Sequence, residues 1–239
     1  MDLKKFLEKG NEFVLPNLSI DIVIIGYRAE ELNCLLLQID DKWLLPGGFI
    51  LNDESVDNAV KRVLKERTSL QDTHFKFLEV FGDKDRRFKQ MWKEFYKKSG
   101  LSWTDDCWLN SRFITLAYYA LVNIEKTYPA LNETDQAFAW FSFNDLPNMW
   151  MDHKSIALTA RNRLKEDMKQ EQITFNLLPD EFTMPELHQL HQTILEENLD
   201  RSRFQKKMLS TNLFERLPEQ RKDSPGRNPY HYRIIAKND

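Results

Sequence analysis

The order of elements along this chain predicts an α/β domain followed by a winged helix-turn-helix. Three observations carry that reading. Short β-branched and aliphatic runs alternate with helical patterns through residues 1–170. Residues 171–239 instead run helix, short connection, basic helix and two strands around a polar tip. All six tryptophans (Trp43, Trp92, Trp103, Trp108, Trp140 and Trp150) precede that boundary. The composition therefore changes where the element order changes.

The first strands are SIDIVIIGY and LNCLLLQI, separated by Arg28-Ala29-Glu30-Glu31, and their β-branched content predicts a hairpin. A helix follows a Gly-Gly turn, and then come strands near 75–81, 113–124 and 137–143 and a linker helix at about 152–168. Residues 83–111 read as an insertion. Within it Phe88, Met91, Trp92 and Phe95 recur at i, i+3, i+4 and i+7, and Lys97-Lys98-Ser99-Gly100 forms a helix stop. An amphipathic helix is expected there, either as extra packing or as a lid or dimer contact. Cys34 reads as a buried strand residue, and two cysteines suggest no disulfide framework.

The C-terminal unit has clear helix boundaries. Thr183-Met184-Pro185-Glu186 has capping-box spacing with proline early in the helix. Leu187, Leu190, Ile194 and Leu195 are placed on its buried side. Asp200 is the natural cap of the next helix, which is expected to bury Phe204, Met208 and Leu209. Charge is segregated: residues 171–199 hold six acids and no Lys or Arg, whereas 200–237 hold ten basic residues against four acids. The surplus falls where a recognition helix and wing would meet phosphates. Lys206, Lys207, Arg221, Lys222 and Arg227 are candidate phosphate or groove contacts. Arg201, Ser202, Arg203 and Gln205, early in the helix, are candidates for reaching base edges.

The Gly-Gly helix carries a further signature. Gly48, Glu54, Arg62, Leu64, Glu66 and Leu70 stand at the spacing G-x5-E-x7-R-E-U-x-E-E-x-G-U, where U is bulky and aliphatic. This segment resembles a Nudix box, and the box implies the mixed-sheet α/β/α Nudix sandwich. In an active enzyme of that family three acids at i, i+3 and i+4 share one helix face, hold divalent cations and activate water. Here the trio reads Val63, Glu66, Arg67. A guanidinium does not ligate Mg²⁺, so no catalytic residue, metal or cofactor is expected. Glu54, Arg62, Glu66, Arg67 and Arg112 are instead candidate effector contacts. Arg67 either faces the old pyrophosphate cleft or lies on the helix's outer side.

An eroded box, the strand ITLAYYAL after Arg112, the Asp152-His153 pair opening the linker helix and the segment FNLLPDEFTMPELHQLHQTIL together resemble Nudix-related transcription regulators. These include ADP-ribose-sensing repressors of nicotinamide-cofactor biosynthesis and a carbohydrate-responsive branch, to which DESVDNAVKRVL looks closer. The resemblance spans about 19–235 apart from the insertion. It implies a small-molecule sensor, an operator of double-stranded DNA and a homodimer.

A Nudix pyrophosphohydrolase with a fused DNA- or partner-binding module, using substitute acids such as Glu54, Asp83 and Asp85, and a ligand-independent DNA-binding or scaffold protein are the alternatives. His188 and His191 stand three apart on one helix, yet no third ligand is near in sequence. A net charge of −3 argues against wholesale nucleic-acid coating or binding to anionic membranes. The charged start MDLKKFLEKGNEF has no apolar core, and no apolar run nears the roughly 20 residues of a membrane span, so a cytoplasmic protein is expected.

Overall fold

The computed structural model describes residues 3–69, 74–131, 135–170, 174–218 and 229–235. In order the elements are α1 (Leu3–Lys9), β1 (Val14–Arg28), β2 (Glu31–Ile39), β3 (Lys42–Leu44), β4 (Gly47–Leu51), α2 (Val56–Thr68), β5 (Phe75–Phe81), α3 (Lys89–Lys98), β6 (Ile114–Leu121), β7 (Ala137–Ser142) and α4 (His153–Gln170). The C-terminal unit contributes β8 (Phe182–Thr183), α5 (Met184–Leu195), α6 (Arg201–Leu209), β9 (Phe214–Arg216) and β10 (His231–Ile234).

Among the described residues seven strands form one mixed sheet along the path β3-β2-β1-β6-β5, with β4 added to β1 and β7 to β2. Of these strands only β1 and β6 run parallel, from Leu18↔Ile114 to Ile25↔Leu121. The period of two along β1 explains the layering. Ile20, Ile22 and Ile24 point to one face and pack with Ala59, Val60, Val63 and Leu64 of α2. Val23 and Ile25 point to the other and pack with Ile156, Ala157, Ala160 and Leu164 of α4. The result is a helix–sheet–helix sandwich.

The expected hairpin closes at Arg28↔Glu31. Ala29 (φ 52°) and Glu30 (φ 60°) both adopt the left-handed conformation that a tight hairpin turn demands. The strand expected at 113–124 ends at Leu121, because Ile124–Lys126 tightens into a 3-10 turn capped by the Asn123 side chain. Three short strands, β3, β4 and β8, and the N-terminal helix α1 add to the elements that the sequence pattern predicts.

In the insertion, α3 ends at Lys98 as the stop signal predicts. It packs with α1 in a third apolar cluster built on Leu7, Tyr96, Leu109 and Phe113. The C-terminal unit is a winged helix whose small sheet runs β8-β10-β9. Thr183 and Glu186 complete the capping box of α5, and Asp200 accepts from Arg203 N at 2.8 Å to cap α6. Phe204 and Met208 are buried, but Leu209 is exposed. So short a helix offers a single inward stripe, which those two residues already fill. Leu195 is likewise only partly buried.

No gap in packing separates the two units. One apolar cluster runs from the sheet through α4 into Leu187, Leu190, Ile194, Phe204 and Tyr232.

Candidate functional site

A cavity of about 730 Å³ opens between the box helix, the sheet and the insertion. Its position follows from close packing at Gly47 and Gly48, which open strand β4 rather than forming the turn that the sequence pattern predicts. A Cβ on Gly47 would meet Asp21 Oδ1 at 2.6 Å and Ile20 O at 2.7 Å, and one on Gly48 would meet Val63 Cγ2 at 3.0 Å. The absent side chain at Gly47 lets β4 lie close against β1, and the one at Gly48 lets α2 sit directly on β4.

Of the expected effector contacts, Arg62, Glu66 and Arg67 line the cavity, but Glu54 and Arg112 do not. Arg62 is fixed from several sides. Its Nη2 and Nε donate to the two Glu54 oxygens at 2.7 and 3.0 Å, Nη2 also to Phe49 O at 2.8 Å, and Nη1 to Glu66 at 3.2 Å. The Arg62 hydrogen bonds hold the Glu54 carboxyl below its ordinary range. Glu54 therefore serves as an internal tether of the box, with Leu51 N as its other donor. Arg67 turns inward and pairs with Asp135, whose side chain is 1% exposed. Arg112 is exposed at the head of β6; the next residue, Phe113, takes the inward position.

Val63, where the first metal-binding acid would stand, is buried at 1% exposure among Ile20, Ile22 and Val60. Asp83 and Asp85 are not buried; they sit in the loop before α3 and lie off the cavity. Among the described residues no group of three or more His, Cys, Asp or Glu is arranged to hold a metal.

A second polar wall joins distant parts of the chain. Arg86, 4% exposed at its side chain, donates to both Asp152 oxygens at 2.8 and 3.1 Å and to Phe113 O at 3.3 Å. Asp21 stands 3.6 Å from the same guanidinium. His153 accepts the Leu45 amide on Nδ1 at 2.9 Å, which leaves Nε2 facing Asp21 at 3.7 Å. Burial pushes the imidazole below its usual value, against the pull of Asp21 and Asp152. Asp21, Arg86 and His153 all line the cavity. The sequence pattern points to the Asp152-His153 pair but not to Asp21 or Arg86. A lone Arg in an inserted loop has no local signature, and only the fold brings it to residue 152.

On the C-terminal unit, Arg201, Ser202, Arg203, Gln205, Lys206 and Lys207 are all exposed along α6. Outside the helix, Arg216 stacks on the Tyr230 ring at 3.1 Å. Arg221, Lys222 and Arg227 lie outside the described residues. His188 and His191 do not form a metal site: His188 Nε2 bonds Leu199 O at 2.8 Å, and both rings meet Phe204 edge-on at 5.1 and 4.9 Å.

Burial, with help from Lys207 and His188, pushes the His191 imidazole down to about 4. The folded value lies below the ordinary 6.5, so the fold favours the neutral ring over the charged one. This contribution to stability is complete above about pH 6.5 and is lost as pH falls towards 4. Side-chain NMR should find His191 neutral at about pH 5, between those two values. His191→Phe should remove part of the acid sensitivity of unfolding, and a ring titrating at its ordinary value would contradict the packing described.

An α/β/α sandwich with a box helix packed on the Gly-Gly start of β4, carrying a basic winged helix, defines the class. Residues 16–160 match the NUDIX domain and residues 174–234 the NrtR DNA-binding winged helix domain. The chain belongs to the Nudix family, as one of its transcriptional regulators. The winged-helix model that matches is that of NrtR, whereas the details of the box look closer to the carbohydrate-responsive branch.

The ADPR responsive transcriptional repressor NtrR of Acinetobacter baylyi is 22% identical over 214 residues, covering 86% of this chain and 77% of that protein. Shewanella oneidensis NrtR, crystallised with a 27mer DNA, has the same fold, with a TM-score of 0.70 and 24% identity over 91% of this chain and 93% of that one. A MutT/nudix family protein from Enterococcus faecalis gives a TM-score of 0.66 at 22% identity over 98% and 94%. Among the described residues no helix is long and apolar enough to cross a membrane.

Proposed function

We propose that this protein is a cytoplasmic, homodimeric transcription regulator. Its Nudix cavity senses an ADP-ribose-like metabolite without hydrolysing it, and its winged helix binds an operator in double-stranded DNA. The observation that carries the reading is the rebuilt box helix. It buries Val63 and turns Arg67 inward where an enzyme would place carboxylates, so the cavity offers guanidinium donors to an anion. The names of the Acinetobacter and Shewanella relatives support the choice of effector and DNA.

Helix α4 is the physical link. Trp150 and Met151 just before it, and His153 at its start, line the cavity. Further along, Arg161 and Lys165 both grip Glu196, the left-handed residue (φ 56°) that ends α5. Those bonds hold the Glu196 carboxyl below its ordinary range. A ligand that moves the start of α4 therefore acts on the helix that carries α6. Regulation requires the ligand to bind more tightly in one of the two arrangements; equal affinity would shift nothing.

The test is DNA binding by purified protein with and without ADP-ribose, with the nucleotide followed by chromatography in Mg²⁺. A change in DNA affinity with intact ADP-ribose is expected. Turnover abolished by Glu66→Gln would replace this reading with a hydrolase.

The contacts on DNA are expected to divide by type. Lys206→Ala with Lys207→Ala should weaken binding to all sequences, by roughly tenfold or more, and flatten its salt dependence by about two phosphate contacts. Arg203→Ala or Gln205→Ala should relax preference at particular positions by roughly 1–3 kcal/mol. Unchanged binding in the double lysine variant would remove α6 from the groove.

A further inference from the structure

We infer that the insertion helix supplies a stacking platform in the sensor cavity, with Trp92 as the specificity-determining residue for a planar ring on the effector. This rests on the ligand-binding reading above and deepens it. The insertion does more than pack. Its inward residue Tyr96 is buried and donates to Leu7 O, which anchors α3 to α1. Trp92 and Phe95, on the neighbouring stripe of α3, are only partly buried, and both line the cavity. They meet Trp150 at ring-centroid distances of 5.6 and 6.0 Å, at interplanar angles of 50° and 58°. Tilted contacts of this kind hold the rings in place beside the cavity that they line.

Arg62, Arg67 and Arg86 line the same cavity, each held by a carboxylate partner. A guanidinium has five N–H donors, so pairing orients it without exhausting it. Aromatic faces and oriented guanidiniums within about 730 Å³ suit one chemical class: a planar heterocycle joined to an anionic phosphate or diphosphate. Trp150 stands two residues before Asp152, the partner of Arg86. The ring and the anion would therefore both report to the start of α4.

The experiment is calorimetric titration of the full chain with ADP-ribose and with ribose 5-phosphate, which lacks the base. The wild type is expected to prefer ADP-ribose, and Trp92→Ala to cut that preference by roughly tenfold or more, as loss of base stacking does elsewhere. Trp92→Phe should retain most of it. An unchanged preference in Trp92→Ala would overturn the platform, and so would equal weakening of both ligands, the mark of a purely structural role. If the wild type binds neither ligand, the sensor reading fails and takes this inference with it. Binding of both with an unaltered ratio removes the platform alone.

Discussion

Val63→Glu is expected to cripple the fold rather than rebuild a metal site. Val63 is 1% exposed, and its Cγ2 lies 3.0 Å from where a Cβ on Gly48 would sit. A glutamate there adds bulk to a packed layer and buries a carboxylate among Ile20, Ile22, Ala59 and Val60, none of which offers a side-chain hydrogen bond. Overpacking costs about 1–3 kcal/mol, and an unpaired buried charge or its forced protonation adds several more. A domain of this size loses about 2–4 °C of melting temperature per kcal/mol, so a fall of roughly 10 °C or more is expected. Millimolar Mg²⁺ should not reverse it. If Val63→Glu with Arg67→Glu melts near the wild type and gains stability from Mg²⁺, the helix can turn an acid into the cavity. The box would then be a disabled catalytic centre that two substitutions repair.

Arg67→Ala is expected to cost both stability and ligand affinity. The change leaves Asp135, almost fully buried, without the guanidinium that pairs with it. Removing one partner of a buried pair costs about 3–5 kcal/mol, because the other charge stays desolvated. The same helix end anchors the 128–130 loop, since Thr68 O accepts Tyr128 N and Arg67 O accepts Ala130 N. Any loss of the pair should therefore loosen that loop. Asp135→Asn is the informative companion. It should lose less stability and should tighten anion binding, because Arg67 is then free to turn to the ligand. Denaturant unfolding and calorimetry on both single variants and the double variant separate the two effects. Unchanged ligand affinity in a folded Arg67→Lys variant would take the fork of this residue out of recognition.

Features set by neighbours along the chain are legible in the residue order itself. The turn at Ala29-Glu30, the strand 75–81, the stop after Lys98 and the caps at Thr183 and Asp200 each depend on a few adjacent residues. The box is legible because its spacing is a helix-face pattern. Strands β3, β4 and β8 are not. Their three, five and two residues carry too little periodicity, and each exists because a partner strand lies alongside it.

The candidate site divides the same way. Residue order alone establishes a regulator-like architecture: an eroded box helix, a linker helix and a basic α6 behind an acidic segment. It also shows that two of the three metal-site acids are missing. What replaced them is a tertiary matter. Whether Val63 meets water or Gly48, whether Arg67 faces out or reaches Asp135 across 68 positions, and whether Arg86 finds Asp152 across 66 all depend on how the sheet stacks its layers. Arg112 shows the same limit from the other side, since one step along the chain exchanges an outward arginine for an inward Phe113. Local propensity acts over a turn of helix or a pair of strands. A cavity is the space left when distant segments pack, and its lining is chosen by that packing.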